Sequence, residues 1–453
     1  MKLSLITLGC NKNQTDSEFL LAGLAGAFEI TGVLEEAEII VLSPCSFLEE
    51  ARDEAKVYIK KLKHYKDEHN CKCLVLTGCY AELLKDEIFA EEKDIDIVIG
   101  LADIKTFVKS INDFFKGKHK NVKKFVQGNG NIFGLFDEKN VNRINSHPNY
   151  GYVKISEGCN NRCAYCLIPT IRGEYRSRQK DIILAEIENL LDNGIKEINI
   201  VSQDIGGYGN DIYNGEYSFI ELLNEITEIE ANGNFWIRLL YMHPKHINQE
   251  LVKLIKSKKQ ICKYIDMPIQ HISDKILKKM DRKITKQEII EKIVLLKKEI
   301  PEVVIRTTFI LGFPGETETE FEELCEFVKE GYFDKVGVFA YSNEKGTKSY
   351  DFKDQVSEDE KLKRAEILMN IQEKISLKKN RKLMNKTVEF LAEEILDEKT
   401  IKGRLASMAP EVDGFVFVKY LENTDLAKKF NSKKLAKAKI YDCNSYDFYA
   451  EGV

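Results

Sequence analysis

The sequence has no run of about 18 apolar residues, so no part of it is long enough to cross a bilayer as a helix. It has no excess of basic charge: 68 Lys and Arg against 73 Asp and Glu leave a formal charge of −5. That balance argues against a broad nucleic-acid-binding face, although a local basic patch stays compatible with it. There is no long-period repeat and no low-complexity segment. The even cysteine count of a disulfide scaffold is also missing, since there are eleven. The N-terminal stretch MKLSLITLGCNKNQ reads as a first strand, not as a signal peptide. A cytoplasmic location with no membrane association is therefore expected. In a reducing compartment, clustered Cys is more often a metal site than a disulfide framework.

What is present is a soluble globular composition, 43% hydrophobic and 31% charged, over 453 residues. That length predicts two or three domains. Over 1–115, apolar runs at 2–9, 38–43, 72–78 and 95–100 alternate with helical stretches at about 16–27 and 47–68. Strands alternating with helices imply a parallel α/β sheet. Residues 116–147 are polar and basic and read as a linker. A second α/β run follows over 148–378, with candidate strands at 150–156, 197–202, 235–240, 263–268, 303–310 and 335–341 and a charged helix at 356–380. Six βα units are too few for a closed eight-unit barrel, so an open, partial barrel is expected. Over 379–453 the pattern changes to short strands, which predicts a small β-barrel.

Cys159, Cys163 and Cys166 form C-x3-C-x2-C in a loop just past the first strand of the middle domain. Soft thiolates select iron–sulfur clusters, zinc or copper(I). A structural zinc site takes four protein ligands, and no fourth Cys or His lies nearby. Three thiolates on a four-iron cluster would leave one iron open to a cofactor. A zinc ribbon half-site is the plainer alternative. Cys10, Cys45 and Cys79 are scattered in sequence, yet each falls just past the end of a predicted strand. In a parallel sheet those ends share one edge, where ligands bind. Any one of them alone reads as a buried packing cysteine; three at equivalent positions do not.

The C-x3-C-x2-C motif, with aromatic Tyr165 before its last Cys, resembles the radical S-adenosylmethionine superfamily. LGCNKNQTDSE (8–18), SPCSFLEEARDE (43–54) and TGCYAE (77–82) resemble the N-terminal domain of methylthiotransferases. The resemblance covers essentially the whole chain, including a C-terminal TRAM domain. It implies two [4Fe-4S] clusters, a radical-generating one on Cys159, Cys163 and Cys166 and an auxiliary one on Cys10, Cys45 and Cys79. It also implies S-adenosyl-L-methionine as cofactor, used twice per turnover, an external electron donor such as flavodoxin or ferredoxin, and a sulfur donor. The hydrogen removed sits on an unactivated carbon that no side-chain base can deprotonate, so a cofactor must carry the hard chemistry.

Within that family, Gly9–Asn13, Arg238–Tyr241, Asp266–His271, Gly337–Phe339, Pro410–Gly414 and Cys166–Gly173 resemble the branch that methylthiolates the β-carbon of an aspartate on small-subunit ribosomal protein S-twelve. The branch that modifies tRNA adenosine is the alternative, and a non-catalytic iron–sulfur RNA-binding protein a remote one. Residues 380–453 carry a net charge of only +1, weak for holding RNA and favouring a protein substrate. Contacts to S-adenosylmethionine are expected at strand ends: Tyr165, Gln203, Asp204, Gln270, Arg306 and Gly312. Gly312-Phe-Pro-Gly315-Glu316 is by itself a turn signal. His243, His246 and His271 lie near the same edge but are not expected as metal ligands. Cys71, Cys73, Cys262, Cys325 and Cys443 match no ligand position and are assigned to packing or surface.

Overall fold

Apolar, β-branched runs build the first sheet. In the computed structural model, which describes residues 1–117, 125–127, 143–231, 233–420 and 435–453, β1 (Lys2–Thr7), β2 (Glu29–Ile30), β3 (Ile39–Ser43), β4 (Cys73–Leu76), β5 (Ile97–Ile99) and β6 (Phe125–Val126) pair in the order β2-β1-β3-β4-β5-β6. Every pairing is parallel. Helices cover both faces, and separate apolar clusters fill each side. β2 is not evident in the sequence. β6 falls inside the segment read as a linker, whose residues 118–124 and 128–142 lie outside those described. The first helix spans Asn11–Leu24, beginning earlier than the apolar pattern suggests, directly after an extended Cys10.

The second sheet is also all parallel. β7 (Tyr150–Lys154), the short antiparallel pair β8 (Ser156–Glu157) and β9 (Arg176–Ser177), β10 (Glu197–Val201), β11 (Trp236–Leu239), β12 (Ile261–Asp266), β13 (Val304–Leu311) and β14 (Lys335–Ala340) follow in chain order. The six main strands run β14-β13-β12-β11-β10-β7, open at both edges. Residues alternate between faces. Val153, Ile198, Ile237, Ile265 and Ile305 belong to the largest apolar cluster, shared with the covering helices. The other face carries Lys154, Glu197, Arg238, Tyr264 and Asp266, all buried.

Part of that polar face is closed by the C-terminal barrel. β15 (Thr387–Ile395), β16 (Thr400–Leu405), β17 (Val416–Lys419), β18 (Leu435–Cys443) and β19 (Phe448–Gly452) close in the order β15-β16-β17-β19-β18. Glu197 sits between two arginines: Arg238 Nε donates to it at 2.6 Å, and Arg404 of the small barrel pairs with it as well. Arg238 also donates to the Ala406 carbonyl at 2.8 Å. The two guanidinium groups outweigh the penalty of burial and hold the Glu197 carboxyl below its ordinary range. Asp413 accepts from Tyr264 Oη and from the Ala409 backbone N–H. No described helix is long and apolar enough to cross a membrane.

Glu197→Ala would strand two buried guanidinium groups without their counter-charge. A loss of about 3–5 kcal/mol is expected. Urea unfolding checks it, and a change below about 1 kcal/mol would mean the triad is dispensable.

Candidate metal centres

Cys10, Cys45 and Cys79 stand at the carboxyl ends of neighbouring strands. Cys10 follows β1 through Gly9, Cys45 follows β3 through Pro44, and Cys79 follows β4 in the first turn of the helix Gly78–Leu84. The loops touch. A Cβ on Gly9, whose φ is +105°, would lie 2.4 Å from Cys45 Cβ, so only glycine fits there. Asn13 Nδ2 donates to the carbonyls of Leu8 (3.1 Å) and Ser43 (2.7 Å), tying the ends of β1 and β3 together. Burial pushes the Cys79 thiol up to about 12, and the neighbouring Cys10 and Cys45 sulfurs act in the same direction. Arg172 opposes them.

The other triad occupies one loop after β7. Cys159 N–H donates to the Gly173 carbonyl (3.2 Å), Ala164 N–H to Met280 (2.9 Å) and Ser349 N–H to Ala164 (2.9 Å), so the loop is pinned on three sides. Backbone N–H groups of Asn161 and Ile168 point at the sulfurs of Cys159 and Cys166 at 3.5 and 3.4 Å. Arg282 Nη1 points at Cys163 at 3.6 Å. Burial, with Cys163 and Cys159 close by, raises the Cys166 thiol to about 12. A thiol this reluctant to ionise needs a bound cation to become a thiolate. Among the described residues, no three His, Cys, Asp or Glu side chains stand in an arrangement that would hold a metal ion as they are placed.

The two edges face each other across a buried charge network. Arg172, six positions past Cys166 in the same loop, donates from Nη2 and Nε to Cys79 Sγ at 2.9 and 3.2 Å. Its Nη1 pairs with Asp16 (2.6 Å) and Glu157 (3.1 Å). Lys154 bridges the same two acids. Burial penalises the Glu157 carboxylate, but Arg172 and Lys154 outweigh it and hold the group at about 2. Arg52 and Glu344 add a second link at 2.7 Å. Leu167 and Ile171 pack on Cys79.

The sequence-predicted contact residues divide into two groups. Gln203 donates to Glu157 Oε1 at 2.8 Å, while its own Oε1 is buried without a partner. Gln270 has φ +74° and an equally unpartnered Oε1. Tyr165 lies edge-on to Phe313 beside its cysteines. The remaining three are engaged elsewhere. Asp204 is buried and held at about 2, because its bonds to His246 (3.0 Å) and Asn161 (2.9 Å) outweigh the cost of burial. Arg306 pairs with Asp266 (3.3 Å) and Asp413 (3.6 Å). Gly312 faces Lys361, whose Cγ would stand 2.2 Å from a Cβ placed there. His271 faces Glu316 at 3.4 Å. Cys71, Cys73, Cys262 and Cys325 are buried in the packing. Sequence reasoning missed Asp16, Lys154, Glu157 and Arg282; a charge inside an apolar strand run, as in YGYVKIS, was the available signal.

Family models match in order along the chain: an uncharacterised protein family over residues 2–100, the Radical SAM superfamily over 153–328 and the TRAM domain over 386–453. Among solved structures, the fold is similar to the radical S-adenosylmethionine methyltransferase TsrM from Kitasatospora setae, with a TM-score of 0.56 and 13% identity over 75% of this chain and 73% of that one. It is also similar to the cobalamin-dependent S-adenosylmethionine radical enzyme OxsB, with a TM-score of 0.52 and 12% identity over 82% and 56%. These two likenesses concern the fold alone. The ribosomal protein uS12 methylthiotransferase RimO of Clostridium botulinum is 41% identical over 99% of this chain and 97% of that protein. Its namesake from Geobacter sulfurreducens is 39% identical over 99% and 98%. With identity at this level sustained from end to end, the chain belongs to the RimO family of ribosomal protein uS12 methylthiotransferases, within the Radical SAM superfamily.

Proposed function

We propose that this protein methylthiolates the β-carbon of an aspartate on small-subunit ribosomal protein S-twelve. Cys159, Cys163 and Cys166 hold one [4Fe-4S] cluster, and Cys10, Cys45 and Cys79 hold a second. The observation that carries this is the facing of two cysteine triads, one from each parallel sheet, across the network centred on Arg172. When bound, the clusters and S-adenosylmethionine supply reductive radical formation and the sulfur to be transferred. An external electron donor such as flavodoxin or ferredoxin and a sulfur donor complete the requirements. The names carried by the relatives support a ribosomal protein over tRNA as substrate.

The chain's own residues bind and orient. The N–H groups of Asn161 and Ile168 and the guanidinium of Arg282 donate toward the sulfurs of one triad. Arg172 does so for Cys79 of the other, favouring the thiolate there. Asp204 fixes Asn161 and His246, and so the shape of the Cys159 loop. Gln203 and Gln270 offer unpaired oxygens past the ends of β10 and β12, on either side of β11, acceptors suited to the amino and hydroxyl groups of S-adenosylmethionine. Tyr165 packs edge-on against Phe313 between Cys163 and Cys166 and holds that loop in place. Arg306 and Gly312 set the positions of the strand ends through Asp266, Asp413 and Lys361.

Cys163→Ala should abolish 5′-deoxyadenosine formation by the reduced, reconstituted protein and leave about four of about eight irons. Chromatography and iron analysis read both, and full 5′-deoxyadenosine yield would remove Cys163 from the site. Cys45→Ala should keep 5′-deoxyadenosine formation but stop methylthio insertion; continued insertion would show that the first triad holds no cluster needed for sulfur transfer. In a strain lacking the gene, mass spectrometry should find ribosomal protein S-twelve without its methylthio group and tRNA unchanged. The opposite pattern would move the substrate to tRNA.

A further inference from the structure

The loop that carries Cys10 also carries Lys12, and this side chain leaves the first sheet for the second. Its Nζ stands 3.2 Å from the centre of the Tyr241 ring, just past the carboxyl end of β11. Asn11 Nδ2 donates to Tyr241 Oη at 3.1 Å, so two successive residues of one domain seat on one residue of the other. Tyr241 has φ +65°, a left-handed conformation that a bulky residue adopts only under constraint. The constraint is visible: its N–H donates to Asp266 Oδ2 at 3.2 Å and its carbonyl accepts from Ile205 N–H at 3.2 Å. Gln270, past the end of the adjoining strand β12, shows the same left-handed backbone and an unpartnered Oε1. Strain of this kind concentrates where a ligand is bound.

Burial disfavours the Lys12 ammonium, and Tyr241, Cys10 and Asp266 together outweigh that penalty. Lys12 forms no ion pair among the described residues. Asp266, the barrel acid closest in effect, is already paired with Arg306 at 3.3 Å. The face of an aromatic ring holds an ammonium group in place without neutralising it. Cys79 on the same edge takes its donors from Arg172, so hydrogen bonding to that sulfur does not require Lys12. What remains is a half-buried cation, oriented by a strained tyrosine, two residues from a cysteine of the first triad and on the rim of the second sheet.

We propose that Lys12 binds the side-chain carboxylate of the substrate and makes the enzyme select an acidic residue over its neutral isostere. This rests on the proposed aspartate substrate. In aspartate the carboxylate is bonded directly to the β-carbon. Anchoring it at Lys12 places that carbon between the Cys10 loop and the strand ends carrying Gln203 and Gln270.

The test uses reconstituted holoenzyme and two fluorescent peptides of the target loop of ribosomal protein S-twelve, one with the target Asp and one with Asn. Anisotropy should show wild type binding the Asp peptide about tenfold or more tighter than the Asn peptide. Lys12→Met and Lys12→Gln should bind the two alike, and Lys12→Arg should restore the preference. Iron content and the reduced electron paramagnetic resonance spectrum of Lys12→Met should match wild type. A full Asp preference in both neutral variants overturns the inference. So does a changed cluster spectrum with the preference intact, which would make Lys12 a counter-charge to the cluster. If wild type binds neither peptide, the proposed substrate fails and the role of Lys12 fails with it.

Discussion

One guanidinium ties the two cysteine triads together. Arg172 belongs to the loop of the second cysteine triad, yet it donates to a sulfur of the first and pairs with Asp16 of the first helix. Buried ions of this kind are tolerated only when every partner is present. Here Lys154, Glu157 and Asp16 complete the set, with Gln203 donating to Glu157. The arrangement is more demanding than an apolar interface and more specific: a shift of one sheet edge against the other would strand several charges at once. The position of one triad relative to the other is thereby set by electrostatics as well as by packing.

The opposite end of the second sheet obeys the same logic. Glu197 with Arg238 and Arg404, and Asp413 with Tyr264 and Arg306, lock the small barrel beneath the polar face. A six-stranded open sheet leaves an inner face that a closed barrel would fill with its own side chains. This chain fills the lower part of it with a separate domain and leaves the upper rim to Lys12, Gln203 and Gln270. The small barrel's near-neutral charge accords with this: its Pro410–Gly414 segment is spent on an internal contact through Asp413, not on an external polyanion.

Much of this was legible in the residues. Alternating apolar and helical runs indicated both parallel sheets, and the position of Cys10, Cys45 and Cys79 just past three strand ends placed them on one edge, as found. The spacing of Cys159, Cys163 and Cys166 needed no fold at all, because a short loop carries all three. The contact residues were harder, since a residue at a strand end can point at a cofactor or at a neighbouring element. Gln203 and Gln270 have oxygens free, whereas Asp204, Arg306 and Gly312 are engaged by His246, Asp413 and Lys361, partners distant in sequence. Arg172, Asp16 and Lys12 were invisible as a group, because their relation exists only once two domains are docked.

The central claim is that two clusters face one another across the charge network of Arg172. Electron paramagnetic resonance of the fully reduced holoenzyme tests it most directly, against variants in which one or the other cysteine triad is replaced by alanine. Facing clusters should speed each other's spin relaxation, so the wild-type signal should differ from the sum of the two single-cluster signals. A wild-type spectrum equal to that sum at every temperature and power would contradict the account.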